Sequence, residues 1–311
     1  MEEIIPRIGR EILLKELNEE RFVRNTNYGK NQIFIIDSNN SPNVMLELGR
    51  LREITFRDAG GGTGKQVDID NYDLGEVPFQ QLIVWNPDDQ EIVGGYRFIH
   101  CKNLKVSEHG TVDTPTSHLF NYSQKFVKNY LPVTIELGRS FVQPDYQPMK
   151  NMRKGLYSLD NIWDGLGAIT LRYPDILYFF GKITMYLQSD LIAREAITYF
   201  LMTFFPDDEH LVYPFEPVKL TTDPMIFKQL FVGDNYDENY RILQQFVRGR
   251  KETIPPLVNA YMNLSSTMKT FGTSLNKGFG DVEETGIMIR ISDIYPSKKD
   301  RHLVIKSEEV K

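Results

Sequence analysis

The sequence predicts an α/β protein in which a mixed sheet is flanked by helices. Residues 134–144 are short, rich in β-branched and aromatic side chains and closed by a proline, which is typical of a strand. Residues 78–86 and 91–100 have the pattern of two further strands, and the Asn-Pro-Asp-Asp turn between them predicts a hairpin. A helical pattern starting at Ser158 separates the first strand from a buried strand at residues 175–185. This strand–helix–strand order favours a crossover connection.

Periodicity and turn signals predict the other elements. Helices are predicted over residues 4–17, 43–56, 189–205, 236–250 and 254–269, and further strands over residues 32–37 and 286–292. Residues 1–295 are assigned to a single domain with a helical insertion at about 186–250. The charged tail, residues 296–311, is expected to be loose.

Composition limits the classes of function. The 311 residues carry a net charge of -6 with a pI near 5.5, which argues against a general nucleic-acid binder. Cys101 is the only cysteine, so an intrachain disulfide and a thiolate metal cluster are excluded. The five histidines lack zinc-binding spacing, so no metal site is expected.

The sequence predicts neither export nor membrane insertion. Its N-terminus lacks the basic-then-apolar layout of a signal peptide. The longest apolar tract, residues 196–205, is too short to cross a membrane. We therefore expect a cytoplasmic protein, which could still contact the inner membrane from one side.

A glycine-rich run at residues 59–65 is only superficially similar to a phosphate-binding loop. Ala59 stands at the position of the first required glycine, and Gln66 stands where the loop needs Ser or Thr. We expect a flexible loop here.

A carboxylate and a guanidinium, Glu136 and Arg139, interrupt the otherwise apolar strand at residues 134–144. Burying an unpaired charge is costly, so each group needs a partner or a chemical role. A structural ion pair and a catalytic role both satisfy this requirement, and the sequence leaves the choice open.

Four motifs follow one another in an order that is typical of one enzyme family. They are Leu51-Arg52 shortly before Phe56, an acidic turn with Asp68, Asp70 and Asp73, the strand Val93-Gly94-Gly95-Tyr96-Arg97, and the run Glu136-Leu137-Gly138-Arg139-Ser140. Together they resemble the GNAT-fold N-acyltransferases that take acyl groups from acyl carrier protein. That family, often labelled hemolysin-like, includes the ornithine- and glycine-lipid N-acyltransferases and is related to the acyl-homoserine-lactone synthases.

The lipid-forming branch is the more similar one. Gly138 stands where the signal synthases usually have Ser, and Phe180-Gly-Lys-Ile-Thr184 resembles that branch's next strand. A later helix opens with Pro255-Pro256-Leu257, as in the lipid enzymes. The chain departs from the pattern where Gln81 replaces His, Thr184 replaces Ser and Leu275 replaces Asp.

The resemblance implies a GNAT-like sheet with splayed central strands and a helical elaboration. It also implies transfer of a (3-hydroxy)fatty acyl group to the amine of an amino acid such as glycine or ornithine, which makes an aminolipid precursor. The implied partners are the amino-acid acceptor and acyl carrier protein, whose thioester (or acyl-CoA) is the donor. No cofactor would be bound permanently.

The resemblance assigns roles to three groups of residues. The catalytic candidates are Glu136 as general base, Arg139, and the backbone amides near Ser140 or Phe141, which would face the thioester carbonyl. The candidates for binding the substrate are Arg52, Phe56, Asp70, Asp73, Gln81, Arg97 and Thr184. The candidates for binding the carrier and its phosphopantetheine arm precede a helix N-terminus, which favours anions, and are Lys150, Arg153, Lys154 and Gly155.

Two other functions stay open at this point. An acyl-homoserine-lactone-type signal synthase would share the motifs, although Gly138 and the long 186–250 segment argue against it. A GNAT-like scaffold that binds acyl chains or partners without chemistry is the second alternative, and Gln81 favours it modestly.

Overall fold

The structure, a computed structural model, describes residues 1–304. Within this range the chain forms ten strands: β1 (Phe22–Asn25), β2 (Gln32–Ile36), β3 (Gln80–Asn86), β4 (Glu91–His100), β5 (Phe120–Tyr122), β6 (Thr134–Val142), β7 (Tyr178–Met185), β8 (Val212–Pro214), β9 (Lys269–Asn276) and β10 (Val282–Arg290). The same residues form nine α-helices: α1 (Arg10–Glu16), α2 (Pro42–Asp58), α3 (Met152–Gly155), α4 (Ser158–Arg172), α5 (Leu191–Phe204), α6 (Pro224–Leu230), α7 (Tyr236–Gly249), α8 (Pro256–Met262) and α9 (Pro296–Lys298). The predicted α/β class is confirmed.

Most of the strongly patterned segments lie where the sequence predicts them. The hairpin is formed by β3 and β4, and β6 covers the charged strand. The main difference at the N-terminus is that α1 begins only at Arg10. Residues before it run along the glycine-rich loop instead, because the backbone amides of Glu2 and Ile5 donate to the carbonyls of Gly64 and Gln66.

The C-terminal part of the chain differs more from the prediction. The helix expected over residues 254–269 ends at Met262, and β9 follows as a strand that the sequence analysis missed. Since β9 is fixed by antiparallel pairing with β10, its identity depends on a tertiary partner rather than on local pattern.

Residues 296–304 are not loose. The ring Nδ1 of His302 lies 3.1 Å from the Asp164 carboxylate of α4, and the His302 side chain is buried. Arg301 pairs with Asp160 on the same helix. The remainder of the predicted tail, residues 305–311, lies outside the described residues.

The chain forms two compact units. Unit 1 consists of Met1–His100, Ile135–Ile176 and the segment from Tyr295, and unit 2 consists of Cys101–Thr134 and Leu177–Ile294. The assignment of residues 1–295 to one domain, with an insertion at about 186–250, stays a prediction.

Unit 1 is an antiparallel sheet with a helix on each face. Its strands pair in the order β1, β2, β3, β4, β6. Helix α2 covers one face, where its Phe56 ring meets Phe141 edge-on at 6.4 Å. Helix α4 covers the other face, where Ile162 lies against Gly94. Side chains that alternate along a strand therefore reach different helices.

Unit 2 is built around three antiparallel strands in the order β7, β10, β9. Its short strands β5 and β8 form a separate pair. Its helices α5, α6 and α7 are packed through aromatic rings, among them Phe200 with Phe231 and Tyr236. No helix among residues 1–304 combines the length and apolar character that crossing a bilayer requires.

The close approach of β4 and β6 depends on a glycine and gives a first prediction. A Cβ on Gly94 would lie 2.3 Å from the carbonyl oxygen of Phe141, which is backbone and has no rotamer to adopt. We expect Gly94→Ala to lower the free energy of unfolding by about 1–3 kcal/mol, measured by urea denaturation.

A matched control is Gly249→Ala, because nothing lies within 4 Å of a Cβ built there. That variant should stay within about 0.5 kcal/mol of the wild type. Equal effects of the two substitutions would show that the close approach at Gly94 does not limit stability.

Candidate active site

Strand register brings three of the predicted site positions into one row across the sheet of unit 1. Gln81 of β3 lies opposite Arg97 of β4, and Arg97 lies opposite Gly138 of β6. Directly opposed residues point to the same face, and this is the face that α2 covers. A Cβ at Gly138 would lie 3.6 Å from the Arg97 Nε, an ordinary van der Waals distance, so Gly138 packs against the Arg97 side chain.

Arg52 of α2 reaches down to this row. One of its guanidinium nitrogens lies 3.3 Å from the Asp73 carboxylate, and the other donates to the Gln81 side-chain oxygen. The Gln81 amide in turn donates to Asp73 at 2.9 Å. Gln81 is thus a bridge inside the network, at the position where the resemblance implies His.

The other two arginines complete the network. Arg97 donates to Asp70 at 2.7 Å and to Asp73 at 3.2 Å. The Arg139 Nε lies 2.8 Å from the Asp68 carboxylate, and its terminal nitrogen lies 3.8 Å from Asp70. With Arg52, three guanidinium groups face three carboxylates, so the network is neutral when all six are ionised.

Burial sets the proton affinities of the network. Desolvation lowers the pKa of Arg52, although Asp73 and Asp68 oppose this effect. Desolvation by itself would raise the pKa of Asp73, but Arg52 and Arg97 reverse the effect and hold it below its ordinary value. The carboxylate therefore stays ionised, and the pKa of Arg97 is raised by its aspartates despite burial.

Two members of the network are open to solvent. The Asp70 side chain is 32% exposed and that of Arg139 is 16% exposed, whereas the side chains of Arg52, Arg97 and Asp73 are at most 1% exposed. A ligand can therefore meet the network only through the carboxylate of Asp70 and the guanidinium of Arg139.

A bulge in β6 separates Gly138 from Phe141. Arg97 pairs with Gly138 while Gly95 pairs with Phe141, so three steps on β6 match two on β4. The extra residue is accommodated by Arg139, which has a φ of +54° in the left-handed region. Such a conformation is costly for a non-glycine residue, and bulges interrupt the ladder hydrogen bonds locally.

Glu136 lies in the same strand, two residues before Gly138. It is 2% exposed and stands opposite Ile99 of β4, so it shares the face of the arginine row. Phe141 continues this face beyond the bulge and contacts Phe56. Glu136, Arg139, Ser140 and Phe141 therefore all lie on β6.

The predicted carrier-binding residues lie at the end of β6, and two of the three basic ones are held in ion pairs. Lys150 pairs with Asp58 at 2.8 Å, and Lys154 pairs with Asp89 at 2.9 Å. Arg153 is exposed and forms no ion pair with any of residues 1–304. Gly155 is buried because its backbone abuts that of Pro148, which gives it a packing role.

Thr184 belongs to β7 in unit 2, unlike the other predicted site residues. Its hydroxyl lies 3.5 Å from the Glu284 carboxylate, which also pairs with Lys182 at 3.1 Å. Thr184 therefore lies in a second, half-buried polar cluster, which the sequence analysis did not identify.

The backbone amides of the glycine-rich loop bind a side chain of the protein itself, that of Glu53. Both carboxylate oxygens of Glu53 accept hydrogen bonds, from the backbone amides of Thr63 and Gly64. Burial alone would raise the pKa of Glu53, but these bonds and Arg57 hold it below its ordinary value. The loop is therefore tied to α2 instead of being flexible.

Sequence reasoning missed the aromatic walls of the network. Tyr72 and Phe79 flank the Arg97 guanidinium, with ring centroids 5.8 and 5.6 Å from its central carbon. Tyr72 lies inside the acidic turn and Phe79 follows it, so aromatic residues in and after a conspicuous aspartate cluster were the available signal.

Asp73 is the carboxylate shared by two buried arginines, and it gives a second prediction. Asp73→Asn should lower the free energy of unfolding at pH 7 by about 3 kcal/mol, because it leaves buried guanidinium charge without its partner. Since its folded-state pKa is depressed, the stability it contributes is present above about pH 4 and is lost as the pH falls through the folded-state value.

Urea denaturation between pH 7 and pH 3 measures both effects. The variant should lose less stability than the wild type on acidification. Exposed Asp208 supplies the control, and Asp208→Asn should stay within about 0.5 kcal/mol. If Asp73→Asn costs no more than this control, the network does not stabilise the fold.

Three comparisons relate the chain to known proteins. A family described as an acetyltransferase (GNAT) domain matches residues 51–155. Two relatives named glycine N(alpha)-acyltransferase, from Phocaeicola vulgatus and Bacteroides thetaiotaomicron, are each 52% identical over 303 residues, spanning 97% of this chain and 93% and 90% of their own lengths. A solved CoA-dependent acyl-homoserine lactone synthase, with SAM and isopentyl-CoA, aligns over 88% of this chain and 89% of its own at 13% identity and a TM-score of 0.41.

The two relatives match nearly the whole chain. The GNAT match spans the elements from α2 to α3, which carry that network and Glu136. The chain therefore belongs to the glycine N(alpha)-acyltransferase family of GNAT-fold proteins, and it is an enzyme that transfers an acyl group to an amine.

Proposed function

We propose that the enzyme transfers a fatty acyl group from the thioester of acyl carrier protein to the amine of glycine. The shared name of two relatives at 52% identity supports glycine as the acceptor. The observation that supports this chemistry is the buried carboxylate of Glu136. It lies on the same strand as Arg139 and on the sheet face that carries the charged network.

The reaction needs three contributions from the protein. The glycine ammonium must lose a proton, the thioester carbonyl must be stabilised as it becomes an oxyanion, and the two substrates must be held in contact. The amine nitrogen then bonds to the carbonyl carbon, the carbon–sulfur bond breaks, and the nitrogen gives up a second proton, which the departing thiolate takes up.

Glu136 is the proposed general base, acting directly or through a water. Glu136 is 2% exposed, so the proton transfer that we propose would take place away from bulk water.

The bulge supports a role for β6 in stabilising the oxyanion. Its extra residue interrupts the β4 ladder between Gly138 and Phe141. Backbone amides near Ser140 or Phe141 are our candidates for donors to the thioester oxygen. Such donors are fixed by the strand before reaction, which is the property that makes oxyanion stabilisation effective.

Asp70 and Arg139 are the proposed contacts for glycine. Glycine carries both an ammonium and a carboxylate, and these are the two network members with exposed side-chain surface, of opposite charge. Arg52, Asp73, Gln81 and Arg97 would position this pair. Ornithine and the acyl-homoserine-lactone acceptor lack comparable support, because both relatives are named for glycine.

The role of Glu136 gives a third prediction. Glu136→Gln keeps the shape of the side chain but removes the base, so kcat for glycine-dependent release of free thiol should fall by about 100-fold to 10,000-fold. The wild-type kcat should rise with pH as the base ionises, and the variant should lose this limb. Exposed Glu20 serves as the control, and Glu20→Gln should leave kcat unchanged.

A structural role for Glu136 predicts a different outcome. In that case the variant would have a lower thermal midpoint but would retain the wild-type pH dependence at temperatures where it is folded. No thiol release by the wild type with glycine or any other amine would contradict the proposed function itself.

The acceptor contact gives a fourth prediction. Asp70→Asn removes a charge-assisted hydrogen bond to the glycine ammonium, so KM for glycine should rise about tenfold. The KM for the thioester should not change, since the donor makes no proposed contact with Asp70. Steady-state assays with each substrate varied in turn separate the two constants, and a rise only in the thioester KM would contradict this assignment.

A further inference from the structure

Asp68 is fully buried and holds the guanidinium of Arg139 at the bulge of β6. Its side chain is 0% exposed, and its two carboxylate oxygens lie 2.8 and 3.1 Å from the Arg139 Nε. A carboxylate with no exposed surface offers nothing for a substrate to touch, and Asp68 is not among the residues that the sequence predicts to bind one. Its contact with Arg139 therefore points to a role inside the protein.

The backbone of Asp68 is fixed against α2. Its amide donates to the carbonyl of Gly49 at 3.0 Å, and a Cβ on Gly49 would lie 2.6 Å from the Ile69 side chain, so this segment lies directly on the helix. A terminal nitrogen of Arg52, also on α2, lies 3.5 Å from the Asp68 carbonyl oxygen. The helix therefore sets the position from which the Asp68 carboxylate holds Arg139.

Arg139 needs to be held, because its backbone conformation is unfavourable. Its φ of +54° lies in the left-handed region, where the Cβ of a residue crowds the following carbonyl oxygen. A residue with a side chain keeps such a conformation only when surrounding contacts stabilise it. The ion pair with Asp68 is one such contact, and it acts at the residue that takes up the extra step of the bulge.

The conformation of Arg139 decides where the next backbone amides point. Arg139 is followed directly by Ser140 and Phe141, whose amides are our candidates for donors to the thioester oxygen. Because peptide units are planar, the φ and ψ of one residue set the direction of the amide that follows it. An oxyanion donor is effective only when its direction is fixed before the reaction.

We propose that Asp68 is a positioning residue for the acyl transfer: through Arg139 it holds the bulge of β6 in the conformation that aims the amides near Ser140 or Phe141 at the thioester oxygen. This inference rests on the proposed function, which places the developing oxyanion at these amides. Asp68 touches neither substrate. It fixes the bulge relative to α2, the helix against which its own backbone is held.

The first test separates the backbone of Arg139 from its charge. Glycine adopts a positive φ without the cost that a Cβ imposes, whereas alanine retains that cost. Arg139→Gly and Arg139→Ala both remove the guanidinium, so KM for glycine should rise equally in the two variants. The kcat for thiol release from 3-hydroxyacyl carrier protein should be about 10-fold to 100-fold lower in Arg139→Ala than in Arg139→Gly. Equal kcat values would overturn the proposal.

The second test removes the Asp68 carboxylate. Asp68→Asn should lower kcat by a similar factor on its own, but by less than about threefold when combined with Arg139→Gly, because the glycine backbone does not depend on the ion pair. An equal loss in both backgrounds would show that Asp68 does not act through Arg139. The comparison of Arg139→Gly with Arg139→Ala stands even if Asp68→Asn fails to fold.

Asp164 supplies a matched control for burial. Its side chain is also 0% exposed, and its carboxylate lies 3.1 Å from the Nδ1 of His302 instead of facing β6. Asp164→Asn should lower the thermal midpoint but leave kcat unchanged at temperatures where the variant is folded. A loss of kcat equal to that of Asp68→Asn would mean that general destabilisation is the cause, and the positioning role would fail.

Crystal structures of the variants separate this inference from the proposed function. The φ of residue 139 should leave the left-handed region in Asp68→Asn and stay close to +54° when Asp68→Asn is combined with Arg139→Gly. If the wild type acylates glycine from no donor, the proposed function fails, but this change in φ would still show that Asp68 holds the bulge. If φ is the same in Asp68→Asn and the wild type, the positioning role fails even when glycine is a substrate.

Discussion

The network of three arginines and three aspartates on the α2 face of unit 1 is the constraint on which the site depends. Desolvating six charges is costly, and only mutual pairing offsets the cost. The pairing requires Arg52 from α2, Arg97 from β4 and Arg139 from β6 to converge on one acidic turn. A shift of the register of β4 by one residue would direct Arg97 to the opposite face and leave it unpaired.

This constraint also leaves two opposite charges at the edge of the network. Arg52 and Asp73, its deepest members, are paired with other members of the network. Asp70 and Arg139 lie at its more exposed end, and in the proposed function a zwitterionic acceptor would meet these two charges in a geometry that is already fixed. Pre-positioned charges of this kind avoid the reorganisation that water would need. The strained backbone at Arg139 is held in place by the same ion pairs.

Much of unit 1 could be predicted from the sequence. The hairpin of β3 and β4, the strand β6 and the helices α2 and α4 have strong local patterns, and the motif order identified the family and the charged residues before any contact was known. Prediction from the sequence was weaker for segments whose conformation is set by contacts with residues distant in the chain. Residues 1–9 follow the glycine-rich loop instead of extending α1, and β9 exists because β10 pairs with it. His302 fixes a segment that was expected to be loose, because Asp164 of α4 faces it.

The sequence by itself determined which residues are chemically unusual: a glutamate and an arginine inside an apolar strand, and an acidic turn. These are properties of residue type and spacing, which the chain carries in any conformation. Only the tertiary structure decided how they combine. Pairing register put Gln81, Arg97 and Gly138 in one row, and burial assigned the shared carboxylate to Asp73. The tertiary structure also showed that Lys150 and Lys154 are held in ion pairs and that Met149 and Met152 are exposed. The sequence could not show this, because solvent exposure and ion pairing depend on segments that are distant in sequence.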